Sequence, residues 1–145
     1  MPDAFAAPLR RTFSDEAALT DFATAFARGL QPGDVVALSG PLGAGKTTFV
    51  RAVVRALHGA DQTSSPTFTF WHRYSGDPPI DHLDLFRIGE PGETVELGLD
   101  DAFDGRSIVL VEWWEKAPHL VPAARYDVHI EGAGDSPRTV DCTRR

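Results

Sequence analysis

A chain of 145 residues has the length of one compact domain, and its formal net charge of −7 argues against a protein that grips nucleic acid by itself. The single cysteine, Cys142, excludes an internal disulfide and fits a reducing cytosol. No apolar run approaches the length of a transmembrane helix, and Met1–Arg11 lacks the apolar stretch of a signal peptide. We therefore expect one domain over residues 1–145, located in the cytoplasm, without direct contact with DNA or a membrane.

The first half of the sequence predicts two helices around one strand. Ser14 is expected to cap a first helix, which Gly29 terminates. The short apolar run Val35–Ser39 predicts a buried strand. After a glycine-rich loop, apolar residues at helical spacing predict a second helix over Thr48–Leu57, with Gly59 as its C-terminal cap.

The second half predicts mainly strands. Residues 108–111 form the most continuous apolar run and should be a central strand buried on both faces. We expect the other strands at residues 67–74, 80–86, 126–131 and 139–142, and a short helix at residues 93–97. This order of elements predicts one α/β domain with a mostly parallel central sheet flanked by helices.

The loop between the first predicted strand and the second helix carries the strongest motif. Residues 40–47 read Gly-Pro-Leu-Gly-Ala-Gly-Lys-Thr and match the phosphate-binding pattern G-x-x-x-x-G-K-[ST] in full. Such a loop wraps its backbone N–H groups around nucleotide phosphates at the positive end of the helix. In this role Lys46 contacts the β- and γ-phosphates, and Thr47 offers its hydroxyl to Mg²⁺. The motif predicts the P-loop NTPase-like version of the α/β fold.

Hydrolysis also needs an acid at the C-terminal end of a strand, where the nucleotide lies. Glu112 follows the strand at residues 108–111, and Asp84 lies where the alternation of a strand puts it on the same face as His82. Two alternatives remain open: Glu112 as a solvent-exposed carboxylate, and Asp84 as an anchor for a loop or helix. His82 without a spaced partner is weak evidence for a metal site.

Aromatic residues cluster in two places. Trp113 and Trp114 directly follow Glu112, and the pattern leaves open whether they belong to the core or border a nucleotide. A second group alternates along a predicted strand, and a half-buried strand face explains it better than a base-stacking platform. The alternating residues are Phe68, Phe70, His72 and Tyr74.

Taken in order, these motifs resemble the TsaE family, also called YjeE, of small bacterial ATPases. The Ser-Pro-Thr-Phe-Thr stretch followed by Asp-Leu-Phe-Arg and Glu-Trp is far more specific than the glycine-rich loop alone. Order and spacing agree from about Ser14 to Val140. The matching stretches are Leu42–Phe49, Ser65–Thr69, His82–Arg87, Glu96–Leu99 and Leu110–Trp113.

The resemblance implies a division of labour among the residues of the motifs. Thr47 and Glu112 would serve Mg²⁺, and Asp84 would be a second acid needed for hydrolysis that also lies at the metal. Lys46, Asp84 and Glu112 are thus the expected catalytic residues, and Ser65–Thr67 would form a switch-like loop that senses the γ-phosphate. The residues expected to bind ATP are Gly43, Ala44, Gly45, Lys46, Thr47 and Thr48.

The resemblance also implies partners. The family works with a pair of proteins, TsaB and TsaD, of which TsaD transfers a threonylcarbamoyl group to adenosine 37 of tRNA. ATP hydrolysis would let that complex turn over repeatedly, so this chain would meet tRNA only through the complex. Two residues depart from the family pattern: Pro41 stands where members usually carry Asp, and Trp114 stands where they often carry Pro.

Three other functions compete with this interpretation. A small-molecule kinase usually needs an arginine-bearing lid, and the stretch from Phe86 to Gly105 contains only Arg87. A regulatory GTPase would need the guanine-reading N-K-x-D motif, which a chain without asparagine cannot contain. A nucleotide-gated binding module would not require hydrolysis, whereas this chain supplies two candidate acids for it.

Overall fold

The computed structural model describes residues 8–59 and 70–145, which form a seven-stranded sheet flanked by helices. The strands are β1 (Leu9–Phe13), β2 (Val35–Ser39), β3 (Trp71–Tyr74), β4 (Ile80–Asp84), β5 (Ile108–Glu112), β6 (Tyr126–Glu131) and β7 (Arg138–Arg144). The helices are α1 (Glu16–Ala27), α2 (Lys46–His58) and α3 (Glu93–Glu96), with short 3-10 turns at Leu99–Ala102, Trp114–Lys116 and Pro118–Leu120.

The sheet is parallel at its centre and antiparallel at its edges. The strand order is β1-β7-β6-β2-β5-β4-β3, and the pairs β6–β2, β2–β5 and β5–β4 are parallel. The pairs β1–β7, β7–β6 and β4–β3 are antiparallel. Because β1 is antiparallel to β7, and β7 to β6, β1 runs with the central strands. Five of the seven strands therefore share one direction, which confirms the predicted α/β class.

Two apolar clusters cover the sheet, one on each face. The larger packs α1 and α2 against one face, where the rings of Phe26 and Phe49 lie 5.4 Å apart. The smaller cluster covers the other face at β4 and β5 and includes Leu83 and Val111. Strand β5 is buried at all five positions because it lies between the two clusters. Strand β6 alternates between buried and partly exposed residues, because at β6 only one face is covered by helices.

The helix boundaries differ from the sequence prediction by one or two residues, and α2 spans Lys46–His58 where Thr48–Leu57 was predicted. Asp15, not Ser14, is the N-cap: its Oδ1 accepts a hydrogen bond of 2.9 Å from the N–H of Ala18. The helix ends at Ala27, two residues before Gly29. Gly59 does cap α2, with φ of +75° and an N–H that donates to the carbonyl of Arg55.

Strand β1 is absent from the sequence prediction. Its three middle residues, Arg10-Arg11-Thr12, are exposed, so the strand has no apolar alternation that a pattern would reveal. The predicted strand at residues 67–74 is confirmed over Trp71–Tyr74, while residues 67–69 lie outside the described part of the chain. Within residues 8–59 and 70–145, no helix is long and apolar enough to cross a membrane.

Candidate functional site

The glycine-rich loop runs from the end of β2 into the first turn of α2. Gly40 has a φ of +135°, and a Cβ built on it would lie 2.1 Å from the carbonyl oxygen of Ile130, so only glycine fits there. Gly45, the N-cap of α2, has a φ of +113° and offers no side chain to the helix end. The first N–H groups of α2 have no carbonyl partner within the helix. The loop therefore presents backbone donors and the positive end of the helix dipole at one place.

Lys46 is held at the mouth of this loop. Its side chain is nearly buried, and Nζ donates to the carbonyl oxygens of Gly40 and Pro41. The ammonium also lies 4.0 Å from the ring centroid of Trp113, in a cation–π contact. Burial lowers the pKa of Lys46 below its ordinary value. The negative charges of nearby carboxylates, of which Glu112 has the largest effect, raise the pKa but do not outweigh burial. These contacts hold the Lys46 side chain in a fixed position at the loop.

Glu112 and Asp84 lie side by side at the C-terminal edge of the sheet. They are register partners across the parallel pair β4–β5, which places both carboxylates next to α2. The Thr47 hydroxyl lies 3.3 Å and 3.4 Å from the two carboxylate oxygens of Glu112. Glu112 is 3% exposed, so the alternative of a solvent-exposed carboxylate is wrong. The two acids and the hydroxyl of the loop therefore lie together at the ends of the strands, as expected.

Asp84 has two roles in the structure. Its carboxylate accepts a hydrogen bond of 3.1 Å from the N–H of Phe86, so it anchors the turn after β4 as the alternative interpretation proposed. It also borders the cleft beside the loop. Burial raises the pKa of Asp84, and the neighbouring charge of Glu112 raises it further. A cation placed between these two carboxylates would relieve their repulsion.

His82 is a functional candidate that sequence reasoning placed on the correct face without giving it a role. Its Nε2 lies 2.6 Å from Oε2 of Glu112, and both side chains are buried. Because a carboxylate only accepts hydrogen bonds, Nε2 carries the hydrogen and donates it. The contact fixes the orientation of the Glu112 carboxylate, both oxygens of which lie within 3.4 Å of the Thr47 hydroxyl.

The two consecutive tryptophans have different environments. Trp113 adopts a φ of +58°, which is unusual for a large side chain, and its ring lies 5.0 Å from that of Phe86 at the rim of the cleft. Trp114 packs against the smaller apolar cluster, with the guanidinium of Arg125 4.8 Å from its ring. Trp113 therefore borders the site, whereas Trp114 is half-buried against the smaller cluster and lies outside the cleft lining.

These residues enclose a cleft of about 280 Å³. Of the residues predicted to bind a nucleotide, Ala44 is the one that lies behind the cleft wall; it is buried, and its N–H donates to the carbonyl of Pro41. The sequence prediction missed Glu16, which accepts a hydrogen bond from the Thr48 hydroxyl, and Arg138. The lining residues are Glu16, Leu42, Gly43, Gly45, Lys46, Thr47, Thr48, Asp84, Phe86, Glu112, Trp113 and Arg138.

The donors in the cleft fit Mg²⁺ together with phosphates. Mg²⁺ prefers oxygen ligands and is commonly held by one or two carboxylates plus substrate phosphates and water. Thr47, Glu112 and Asp84 offer such oxygens. Within the described ranges, 8–59 and 70–145, no group of three or more His, Cys, Asp and Glu side chains is arranged to hold a metal ion. A cage made of protein ligands alone is therefore not formed by these residues, and the predicted switch-like segment Ser65–Thr67 lies outside them.

Comparison with known proteins identifies relatives over most of the chain. Residues 13–140 match a family model described as "Threonylcarbamoyl adenosine biosynthesis protein TsaE". The chain is 39% identical to the tRNA threonylcarbamoyladenosine biosynthesis protein TsaE of Bacillus subtilis, over 87% of this chain and 77% of that protein. It is 38% identical to the Rickettsia bellii protein of the same name, over 85% of this chain and 86% of that one.

A solved structure agrees with these sequence relatives. The crystal structure of Bacillus subtilis YdiB superposes with a TM-score of 0.76 and 32% identity. The likeness covers 93% of this chain and 84% of that one. The fold and the sequence thus point to the same set of relatives.

Proposed function

The chain belongs to the TsaE family, and from that premise we propose that it is a Mg²⁺-dependent ATPase that supports the formation of threonylcarbamoyladenosine in tRNA. One observation carries the ATPase part of this proposal. The Thr47 hydroxyl, at the N-terminus of the phosphate-loop helix, faces the buried carboxylate of Glu112, with Asp84 beside it. This is the arrangement of loop hydroxyl and strand-end acid that P-loop NTPases use.

The phosphate loop and Lys46 bind and orient the nucleotide. Backbone N–H groups at the start of α2 donate to phosphate oxygens, and the helix dipole favours their negative charge. Lys46 exchanges its contacts with the carbonyl oxygens of Gly40 and Pro41 for phosphate oxygens. Since its ammonium already lies at the loop over the ring of Trp113, little side-chain entropy is lost on binding.

The carboxylates would hold the cation and orient the attacking water. Thr47 and Glu112 are the residues that would hold Mg²⁺, and Asp84 would take part directly or through water. Bound there, Mg²⁺ would neutralise charge that develops on the phosphates. His82 keeps the Glu112 carboxylate in one orientation through its Nε2–H, so the acid does not swing away from Thr47.

The expected partners are TsaB- and TsaD-type proteins. The formal net charge of −7 is unfavourable for direct binding of tRNA, which supports an indirect role through a complex. Leu42 and Phe86 at the cleft are exposed by 66% and 43%, and such apolar side chains at a cleft are typical of a protein contact. Hydrolysis by the isolated chain should therefore be slow until a partner completes the site.

Analysis of tRNA nucleosides by mass spectrometry tests the function. Cells depleted of this protein should lose threonylcarbamoyladenosine, and the wild-type chain should restore it. Lys46→Ala should not restore it, whereas the matched control Arg51→Ala, at an exposed position of α2, should. An unchanged nucleoside after depletion would refute the proposed pathway.

An assay of ATP turnover with the partner proteins tests the mechanism separately. Glu112→Gln should retain ATP binding and hydrolyse ATP slowly, because it keeps the shape of the side chain and loses its charge. Free phosphate should be the product. A phosphorylated small-molecule acceptor would instead indicate the kinase alternative. Equal tRNA modification by Glu112→Gln and wild type would show that hydrolysis is not required.

A further inference from the structure

Arg138, the first residue of β7, is a buried cation without a carboxylate partner in the described part of the chain. The residue is 6% exposed. Among residues 8–59 and 70–145, no carboxylate forms an ion pair with its guanidinium. A buried charge is costly unless it is paired and hydrogen-bonded. A buried, unpaired guanidinium therefore indicates a site for an anionic ligand.

The hydrogen bonds of Arg138 all go to backbone carbonyl groups. One terminal nitrogen donates to the carbonyl of Ser136 at 2.6 Å. The other donates to the carbonyls of Gly134, at 3.1 Å, and Gly43, at 3.5 Å. Nε is buried and has no hydrogen-bond partner among the described residues. These carbonyl dipoles hold the guanidinium in place, but its net charge has no described counter-ion and two of its five N–H donors have no described partner.

The guanidinium lies against the phosphate loop. Arg138 is part of the wall of the cleft, and a Cβ built on Gly45 would come within 3.9 Å of Nε. Nε therefore lies next to the last residue of the loop before α2. The turn between β6 and β7 wraps around Arg138, and Gly132, with φ of +119°, makes that wrapping possible.

The charges of the cleft support the same conclusion. Three carboxylates line it, those of Glu16, Asp84 and Glu112, against the two cations Lys46 and Arg138. With Lys46 alone, a phosphate chain would meet three negative side chains and one positive one. Arg138 offsets that repulsion, and its guanidinium can donate charge-assisted hydrogen bonds to phosphate oxygens.

We propose that Arg138 is a second phosphate-binding cation of this site and binds the phosphate chain of the nucleotide together with Lys46. The inference rests on the proposed function, because it names a further residue of the same nucleotide site. Arg138 comes from β7, on the β6 side of β2, whereas Lys46 lies over Trp113, which follows β5 on the other side of β2.

Isothermal titration of the full chain with Mg-ATP at two salt concentrations tests this inference. Arg138→Gln should bind ATP at least about tenfold more weakly, as expected for the loss of a charge-assisted hydrogen bond. Its affinity should also depend less on salt than that of wild type. Arg138→Lys, which keeps the charge and loses the guanidinium with its Nε–H, should fall in between. The control Arg51→Gln removes an equal charge from the exposed face of α2 and should leave the affinity unchanged.

Two outcomes would overturn the inference. One is wild-type ATP affinity in a folded Arg138→Gln chain. The other is weaker binding with an unchanged salt dependence, because Arg138 would then act only by holding the carbonyl of Gly43. If Arg138→Gln does not fold, NMR of the wild-type chain tests the contact instead. The Nε–H resonance of Arg138, assigned by its absence in Arg138→Lys, should shift when Mg-ATP is added. A resonance that does not move at saturation would refute the contact.

The titration also separates this inference from the proposed function. If wild type does not bind ATP, the ATPase proposal fails. If Lys46→Ala loses ATP while Arg138→Gln keeps it, the ATPase proposal stands and only the role of Arg138 fails.

Discussion

Replacing His82 by phenylalanine should destabilise the protein, because the buried carboxylate of Glu112 would lose its hydrogen bond from His82. The Nε2–H of His82 donates to Glu112 over 2.6 Å, and Glu112 is only 3% exposed. Phenylalanine keeps the ring volume but leaves the carboxylate with the Thr47 hydroxyl alone, at 3.3 Å and 3.4 Å. A hydrogen bond to a charged group contributes about 1.5–3 kcal/mol, so we expect the free energy of unfolding to fall by about 2 kcal/mol.

Thermal unfolding without nucleotide or metal, at neutral pH, measures this effect. For a domain of this length, about 2 kcal/mol corresponds to a fall in Tm of roughly 5–8 °C. His82→Gln, whose amide N–H can reach the same oxygen, should recover part of the loss. The double-mutant cycle with Glu112→Gln is the control, because without the carboxylate charge His82→Phe should cost less than half as much.

Either of two results would refute the role of His82 in positioning Glu112. The first is a Tm of His82→Phe equal to that of wild type. The second is an equal fall in Tm with and without the Glu112 carboxylate. In the second case His82 would stabilise the protein only by packing, and it would not position the acid.

Two further predictions concern the loop and the opposite face of the sheet. Gly40→Ala should lower Tm and abolish ATP binding, since the added Cβ would lie 2.1 Å from the carbonyl oxygen of Ile130; unchanged binding by titration would contradict this. Burial favours the neutral form of Asp81, but hydrogen bonds from Arg73, Trp71 and Ser107 outweigh burial and hold its pKa below the ordinary 3.8. Asp81 therefore stabilises the fold above pH 3.8, and the Tm deficit of Asp81→Asn should shrink as pH falls below that value; a constant deficit would refute this.

The sequence predicted the centre of the molecule better than its edges. The strands at residues 35–39 and 126–131 were predicted with the bounds that the structure gives them. Strand-end acids next to a phosphate loop also predicted that Glu112 and Asp84 meet, because parallel strands end at one edge of the sheet. Both features follow from local apolar patterns and one long motif.

The missed features depend on pairing that no local pattern contains. His82 reaches Glu112 only in the register that places β4 beside β5. Arg138 is separated from Gly43 by 95 residues and reaches the loop only because β7 pairs back onto β6. Strand β1 lacks apolar alternation because it is an edge strand with three exposed polar residues in its middle. The role of the predicted Ser65–Thr67 segment stays a prediction.

The central position of β2 has a consequence for folding during synthesis on the ribosome. This strand, made early, pairs on one side with β5 and on the other with β6, whose residues are translated some 70 to 90 positions later. Such distant pairing requires the closure of a long loop before any contact forms, so it is slow. A nascent chain that ends before β6 has the complete phosphate-loop motif but lacks Ile130, the residue against which Gly40 packs. We therefore expect competence to bind a nucleotide to be gained late in synthesis, after β6 and β7 have joined the sheet.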